Sequence, residues 1–239
     1  MAAPDDEIPL AGGHDASPVR VGRTVRRPMK PWGASIHALL RHLQDAGFAG
    51  APRVLGIDGS GREILSYIPG TDGRTAECFS DDALVAVGQL IRDFHDAVAG
   101  FRLPPDSEWH PEPGAPAGRL ICHNDLSPAN TIYTDGVPRA FIDWDLATPS
   151  TALWDLSYAA RTFVPLYAPQ DCRRFGYPDG GQPRRLRLFC DAYRLDRRSR
   201  RRLLPAVGHR LGTEQSAFAR RCEDALARNW NDWSDAILA

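Results

Sequence analysis

The chain has 239 residues with 29 basic and 30 acidic side chains, a formal net charge of −1. That balance gives no argument for nucleic acid or a charged membrane surface as the partner of the whole chain, and no apolar run approaches the roughly 18–20 residues that a membrane span needs. Residues 1–13 lack a basic start followed by an apolar stretch, so no signal peptide is read there. The five cysteines, Cys78, Cys122, Cys172, Cys190 and Cys222, are spread without a CxxC, which predicts reduced, mostly buried thiols in a cytoplasmic protein rather than disulfides or a zinc site.

Residues 1–20 read as loosely ordered, with Gly12-Gly13 in the middle. Short β pieces are expected at 19–21 and 24–27, stopped by Pro28 and Pro31. Ser35 reads as the cap of a helix carrying Ile36, Leu39, Leu40 and Leu43, with Gly47 at its end. Residues 54–57 and 63–68 read as strands joined by the turn Asp58-Gly59-Ser60-Gly61, and Pro69-Gly70 breaks the second. Ser80 opens a long helix with Leu84, Val87, Ile91, Phe94 and Val98 on one face. The Pro- and Gly-rich residues 100–118 read as a loop, and from Arg184 onward the pattern is helical. This order predicts a small sheet lobe followed by a larger helical lobe, with a cleft between them as the natural ligand site.

Chemistry concentrates in residues 120–145. Strands at 131–133 and 139–142 are expected to fold about a loop at 134–138, so that Tyr133 faces Arg139 and Asn130 falls opposite Ile142. Asn130 and Asp143 then share the open end of the hairpin, and Asp125 sits five residues before Asn130 in a loop held by Pro128. One carboxylate can accept a proton from an attacking hydroxyl, while a second carboxylate and an amide oxygen are hard ligands of the kind Mg²⁺ takes. A hydrolytic pair of carboxylates is the rival chemistry, but it gives Asn130 no role. Asp145 either faces the cleft or caps the next segment. His95 reads as a packing or hydrogen-bonding residue, and the arginine run at 197–202 as a solvated helix face rather than a nucleic-acid site. Trp230, Asp232, Trp233 and Asp235 form either an acidic-aromatic surface or a terminal helix with its tryptophans on the core.

His123-x-Asp125-x-x-x-x-Asn130, followed by Ile142-Asp143-Trp144-Asp145, resembles the catalytic and metal-binding loops of the aminoglycoside phosphotransferase and choline kinase family. The resemblance implies an α+β, two-lobed protein-kinase-like fold, with a reduced β-sheet lobe at 1–68 and a mostly helical lobe at 69–239. It implies ATP and Mg²⁺ as cofactors, Asp125 as catalytic base, Asn130 and Asp143 as metal ligands, and Asp145 toward the substrate. His123 would brace the loop, and Asp155, in Trp154-Asp155-Leu156, would tether it through backbone hydrogen bonds. The strand at 63–68 resembles the last of the small lobe, so the backbone of Ser66, Tyr67 and Ile68 is expected to meet adenine. The family expects a lysine on the third strand and a glutamate in the next helix. Here the strand reads Thr24-Val25-Arg26-Arg27 and the helix holds no glutamate, only His37 near the expected place. Arg26 is the candidate phosphate contact, with Gly12 and Gly13 as a fragment of a phosphate-covering loop. The acceptor is expected to be a small-molecule hydroxyl, as in kinases of aminoglycosides, choline or homoserine. The alternative is a degenerate, non-catalytic nucleotide-binding or immunity-type protein on the same fold.

Overall fold

The computed structural model describes residues 6–10, 18–74, 79–177 and 180–239. Five antiparallel strands open the chain: β1 (Ile8–Pro9), β2 (Val19–Val21), β3 (Thr24–Pro28), β4 (Val54–Ile57) and β5 (Arg62–Ser66), in the order β1-β2-β3-β5-β4. The β4–β5 turn forms because Asp58 Oδ1 accepts the amides of Ser60 and Arg62 at 2.9 and 3.0 Å, a local bond that Asp offers readily. Helix α1 (Gly33–Asp45) crosses between β3 and β4 and buries Ile36, Leu39, Leu40 and Leu43. Its cap is Trp32, not Ser35, which lies inside the helix. Gly47 does close it, at φ +78°, a conformation that a Cβ disfavours.

The second lobe begins with β6 (Thr71–Asp72) and α2 (Asp81–Val98), the latter capped by the Ser80 hydroxyl accepting from the Ala83 amide. The predicted face of α2 is the buried one. Beneath it lie β7 (Leu120–Cys122), the hairpin β8 (Thr131–Thr134) and β9 (Val137–Phe141), and β10 (Thr148–Ser150) paired with β7. Phe94 of α2 meets Trp144 edge-on at 5.0 Å, both rings fully enclosed; each such burial contributes roughly 2–3 kcal/mol. The remaining helices, α3 (Ala152–Phe163), α4 (Pro169–Arg174), α5 (Gln182–Tyr193), α6 (Arg197–Leu211), α7 (Ala217–Arg228) and α8 (Trp230–Leu238), complete the lobe, with α5 packed on α2, α6 on α3 and α8 on α5. In α8, Trp233 enters the core while Trp230 stays exposed. Cys122, Cys172, Cys190 and Cys222 are buried, and Cys78 lies outside the described residues. Among the described residues no helix is long and apolar enough to cross a membrane.

The hairpin corrects the expected register. Asp135 and Gly136, both at positive φ, make a two-residue turn, so Val137 and Pro138 belong to β9 rather than to a loop. A bulge beside Ile132 sets Tyr133 opposite Pro138 instead of Arg139. The open end is unaffected: Thr131 faces Phe141, and the Ile142 amide donates to the Asn130 carbonyl at 2.9 Å.

Candidate active site

The loop after β7 is held from behind by α3. Asp155, fully enclosed in the first turn of α3, accepts the amides of His123 and Asn124 at 2.9 and 2.8 Å and faces His95 Nε2 at 3.1 Å. Burial alone would raise its pKa, but the His95 hydrogen bond and charge, with the backbone bond, hold the carboxyl below its ordinary value. His95 in turn reaches the Tyr193 hydroxyl at 2.8 Å, the hydrogen-bonding role read for it from sequence. Arg210 of α6 donates to the Asn124 carbonyl at 2.6 Å, and the Thr162 hydroxyl donates to that of Leu126 at 2.8 Å. His123 spans the loop: its Nε2 donates to the Ile142 carbonyl at 3.0 Å, its Nδ1 accepts the Asp125 amide at 3.3 Å, and its ring lies 4.6 Å from that of Trp144.

Asp125 emerges from this frame at the cleft. Asn130 Nδ2 donates to its carboxylate at 2.7 Å and to its backbone carbonyl at 3.1 Å. The Tyr158 hydroxyl, one helical turn after Asp155, faces the same carboxylate. Burial raises the Asp125 pKa, as does the charge of Asp143, while His123 and the Tyr158 and Asn130 hydrogen bonds work against the rise. With its amide nitrogen committed to Asp125, Asn130 keeps its carbonyl oxygen for another partner.

Asp143 ends the hairpin at φ +61°, an uncommon conformation for a residue with a Cβ. Its Oδ1 accepts from Arg27 at 3.0 Å, and Asp145 Oδ1 accepts from the other terminal nitrogen of Arg27 at 2.6 Å. Asp145 therefore faces the cleft rather than capping a segment. Burial also raises its pKa, opposed by Arg27.

Arg27, not Arg26, is the cleft cation of β3. Successive strand residues point to opposite faces, and Arg26 turns outward to lie 4.0 Å from Asp58. Arg27 lies directly across from Glu63 of β5, on the face covered by α1. Glu63 Oε1 accepts from Arg27 Nε at 2.7 Å and Glu63 Oε2 faces His37 Nε2 at 2.7 Å. Burial opposes the charge on Arg27, but Asp145, Glu63 and Asp143 together hold its pKa well above the usual arginine value.

At the expected hinge, the Ser66 and Tyr67 amides already donate to the Arg53 and Arg23 carbonyls at 2.9 Å each, and the Arg20 guanidinium covers the Tyr67 ring at 4.1 Å. These two amides are committed to the sheet and are not free to donate to adenine. Gly12 and Gly13 lie outside the described residues. Sequence reasoning missed Arg27, Glu63 and Tyr158. Tyr158 lies three residues after Asp155 and so on the same helix face, a spacing that core tyrosines share.

The donor set fits Mg²⁺. Among the described residues there is no group of three or more His, Cys, Asp or Glu side chains placed to hold a metal, as a transition-metal site would require. Mg²⁺ instead takes one or two protein oxygens and fills its shell with water and substrate phosphates. The Asn130 carbonyl oxygen and the part-exposed Asp143 carboxylate are such a pair.

A small antiparallel sheet over a helical lobe, with these acidic loops at the junction, is the architecture of protein-kinase-like phosphotransferases. The sequence profile of the phosphotransferase enzyme family matches residues 106–200. The trifolitoxin immunity protein of Rhizobium leguminosarum bv. trifolii is 36% identical over 202 residues, 82% of this chain and 77% of the relative. The chain belongs to this phosphotransferase family. Among solved structures, the amicoumacin kinase hAmiN, in complex with AMP-PNP, Ca²⁺ and Ami, superposes with a TM-score of 0.69 at 13% identity, over 98% of this chain and 89% of that one. A choline/ethanolamine kinase family protein from Mesorhizobium loti gives 0.61 at 16%, over 98% and 92%. At these identities the superpositions establish the fold, as the sequence resemblance implied.

Proposed function

We propose that the protein is an ATP- and Mg²⁺-dependent phosphotransferase that moves the γ-phosphoryl group to a hydroxyl of a small molecule of the antibiotic or toxin type. The carrying observation is the Asp125 carboxylate, oriented by the Asn130 amide and the Tyr158 hydroxyl and made more basic by burial. In this reading Asp125 orients the acceptor hydroxyl and takes its proton as the new oxygen–phosphorus bond forms and the bond to the leaving diphosphate breaks. Asn130 and Asp143 hold Mg²⁺, which when bound neutralises charge on the phosphate oxygens. Arg27 takes the phosphate-contact role expected of Arg26. Asp145 lines the acceptor side, and the Ile68 backbone meets adenine. Positioning and charge neutralisation supply most of the rate. The kinases among the structural neighbours support the reaction class, and the relative's name supports an antibiotic or toxin as acceptor.

Phosphate transfer from labelled ATP to a panel of aminoglycosides, small amino alcohols and peptide toxins, run with Asp125→Asn beside the native protein, tests this. Loss of a general base costs on the order of 10²–10⁴ in rate, so the variant falls to background while calorimetry finds Mg·ATP binding retained. Turnover near the native level in Asp125→Asn would remove Asp125 from the chemistry. The second reading, a non-catalytic nucleotide-binding or immunity-type protein, is compatible with the 36% identity to an immunity protein. A host protected from a toxin equally by the native protein and by Asp125→Asn would establish it over the first.

A further inference from the structure

We propose that Glu63, braced by His37, is the positioning residue for Arg27 at the nucleotide phosphates: a carboxylate delivered by strand β5 in place of one on helix α1. The proposal rests on the phosphotransferase reading above. Arg27 and Glu63 are directly opposed across two central strands, so their side chains leave the sheet on one face. Glu63 is 3% exposed, and each carboxylate oxygen meets one partner at 2.7 Å, Arg27 Nε on one side and His37 Nε2 on the other. A carboxylate that buried persists only with such partners.

The consequence is geometric. The bond at Nε uses the inner edge of the guanidinium and fixes its plane, leaving the two terminal nitrogens projecting toward Asp143 and Asp145 at 3.0 and 2.6 Å. Those nitrogens carry further N–H donors that phosphate oxygens can share. A lysine offers no inner donor by which it could be held while presenting a forked end. Residue 37, on the helix where a glutamate is expected, is a histidine that reaches the carboxylate instead of the cation. A lysine–glutamate pair across strand and helix is thus replaced by a chain of three, with the negative charge moved from helix α1 to strand β5.

Calorimetric titration with Mg·ATP tests this on the full chain, comparing the native protein with Arg27→Met, Glu63→Gln and the double variant. Loss of one hydrogen bond to a charged group corresponds to roughly tenfold in affinity. Glu63→Gln should bind Mg·ATP about tenfold more weakly, with KM for ATP rising by the same factor and KM for the acceptor unchanged. Because Glu63 acts through Arg27, the double variant should bind no more weakly than Arg27→Met alone. Unchanged affinity in Glu63→Gln, or penalties that multiply in the double variant, would overturn the proposal while leaving the phosphotransferase reading intact. Failure of the native protein to bind Mg·ATP would overturn both. Should Glu63→Gln not fold, His37→Leu keeps the carboxylate and removes one brace; a weaker loss in the same direction supports the proposal, and none overturns it.

Discussion

Asp125 sits between opposing influences. Burial and the neighbouring Asp143 favour its neutral form, while His123, the Tyr158 hydroxyl and the Asn130 amide favour the carboxylate. Tyr158→Phe removes the hydroxyl that favours the charged form, so the Asp125 pKa should rise further. A general base works deprotonated: activity is present above its pKa and lost as pH falls through it. The acidic limb of kcat/KM should therefore move to higher pH in Tyr158→Phe, with the plateau little changed. A limb that stays, or moves to lower pH, would deny Tyr158 this part. At this scale the chemical residues were legible where spacing is local. Asp125, Asn130 and Asp143 fall within one loop and one hairpin, and the hairpin's register at its open end tolerates the bulge nearer its turn. Tyr158 was not legible, because a tyrosine in a helix reads as core until the helix is seen to point at the loop.

The one-residue slip from Arg26 to Arg27 belongs to the element, not the residue. Strand β5 reads Arg-Glu-Ile-Leu-Ser, with two apolar residues side by side, so alternation does not say which face is inward. Only the tertiary packing, which buries Leu65 and Glu63 on one face and sets His37 of α1 against Glu63, decides the matter. Helices α1 and α2 were legible because apolar spacing at three and four has one reading. The hairpin loop was misjudged because Val137 and Pro138 carry no sign of which side of a tight turn they fall on. The junction of β7 with α3 yields a further test. Asp155 is fully enclosed and accepts from two loop amides and faces His95, so Asp155→Asn breaks a buried charged network at a cost of about 3–5 kcal/mol at neutral pH. Its folded pKa lies below the unfolded value, so this stabilisation is complete above about pH 4 and fades as pH falls through the folded pKa. Denaturant unfolding at neutral pH and near pH 3 should find the gap between native protein and variant shrinking on acidification; a gap that is constant or widens contradicts the assignment.

The two lobes share the core between α1 and α2 and are tied besides by polar contacts. Arg27 reaches from the sheet to Asp143 and Asp145, Trp32 Nε1 donates to the Asp145 carbonyl at 2.7 Å, and the Phe141 amide donates to the Gly50 carbonyl at 2.9 Å. Nucleotide is proposed to sit between the lobes, against Arg27 and Asp143. A ligand there touches both lobes, so its binding energy adds to the stability of the whole chain rather than of one part. Mg·ATP at a hundred times its Kd adds about 2.7 kcal/mol, which for a chain of this size is a rise in Tm of about 5–11 °C. ATP with a chelator should give a smaller rise, because the phosphate charge then faces Asp143 without a metal. Asp143→Asn should erase the Mg²⁺-dependent part of the rise while Asp125→Asn keeps all of it. Thermal melts of the three proteins with and without Mg²⁺ read this directly. Equal rises with and without metal would remove Asp143 and Asn130 from the metal site, and a rise lost in Asp125→Asn would mean that the carboxylate assigned to the acceptor hydroxyl holds the nucleotide instead.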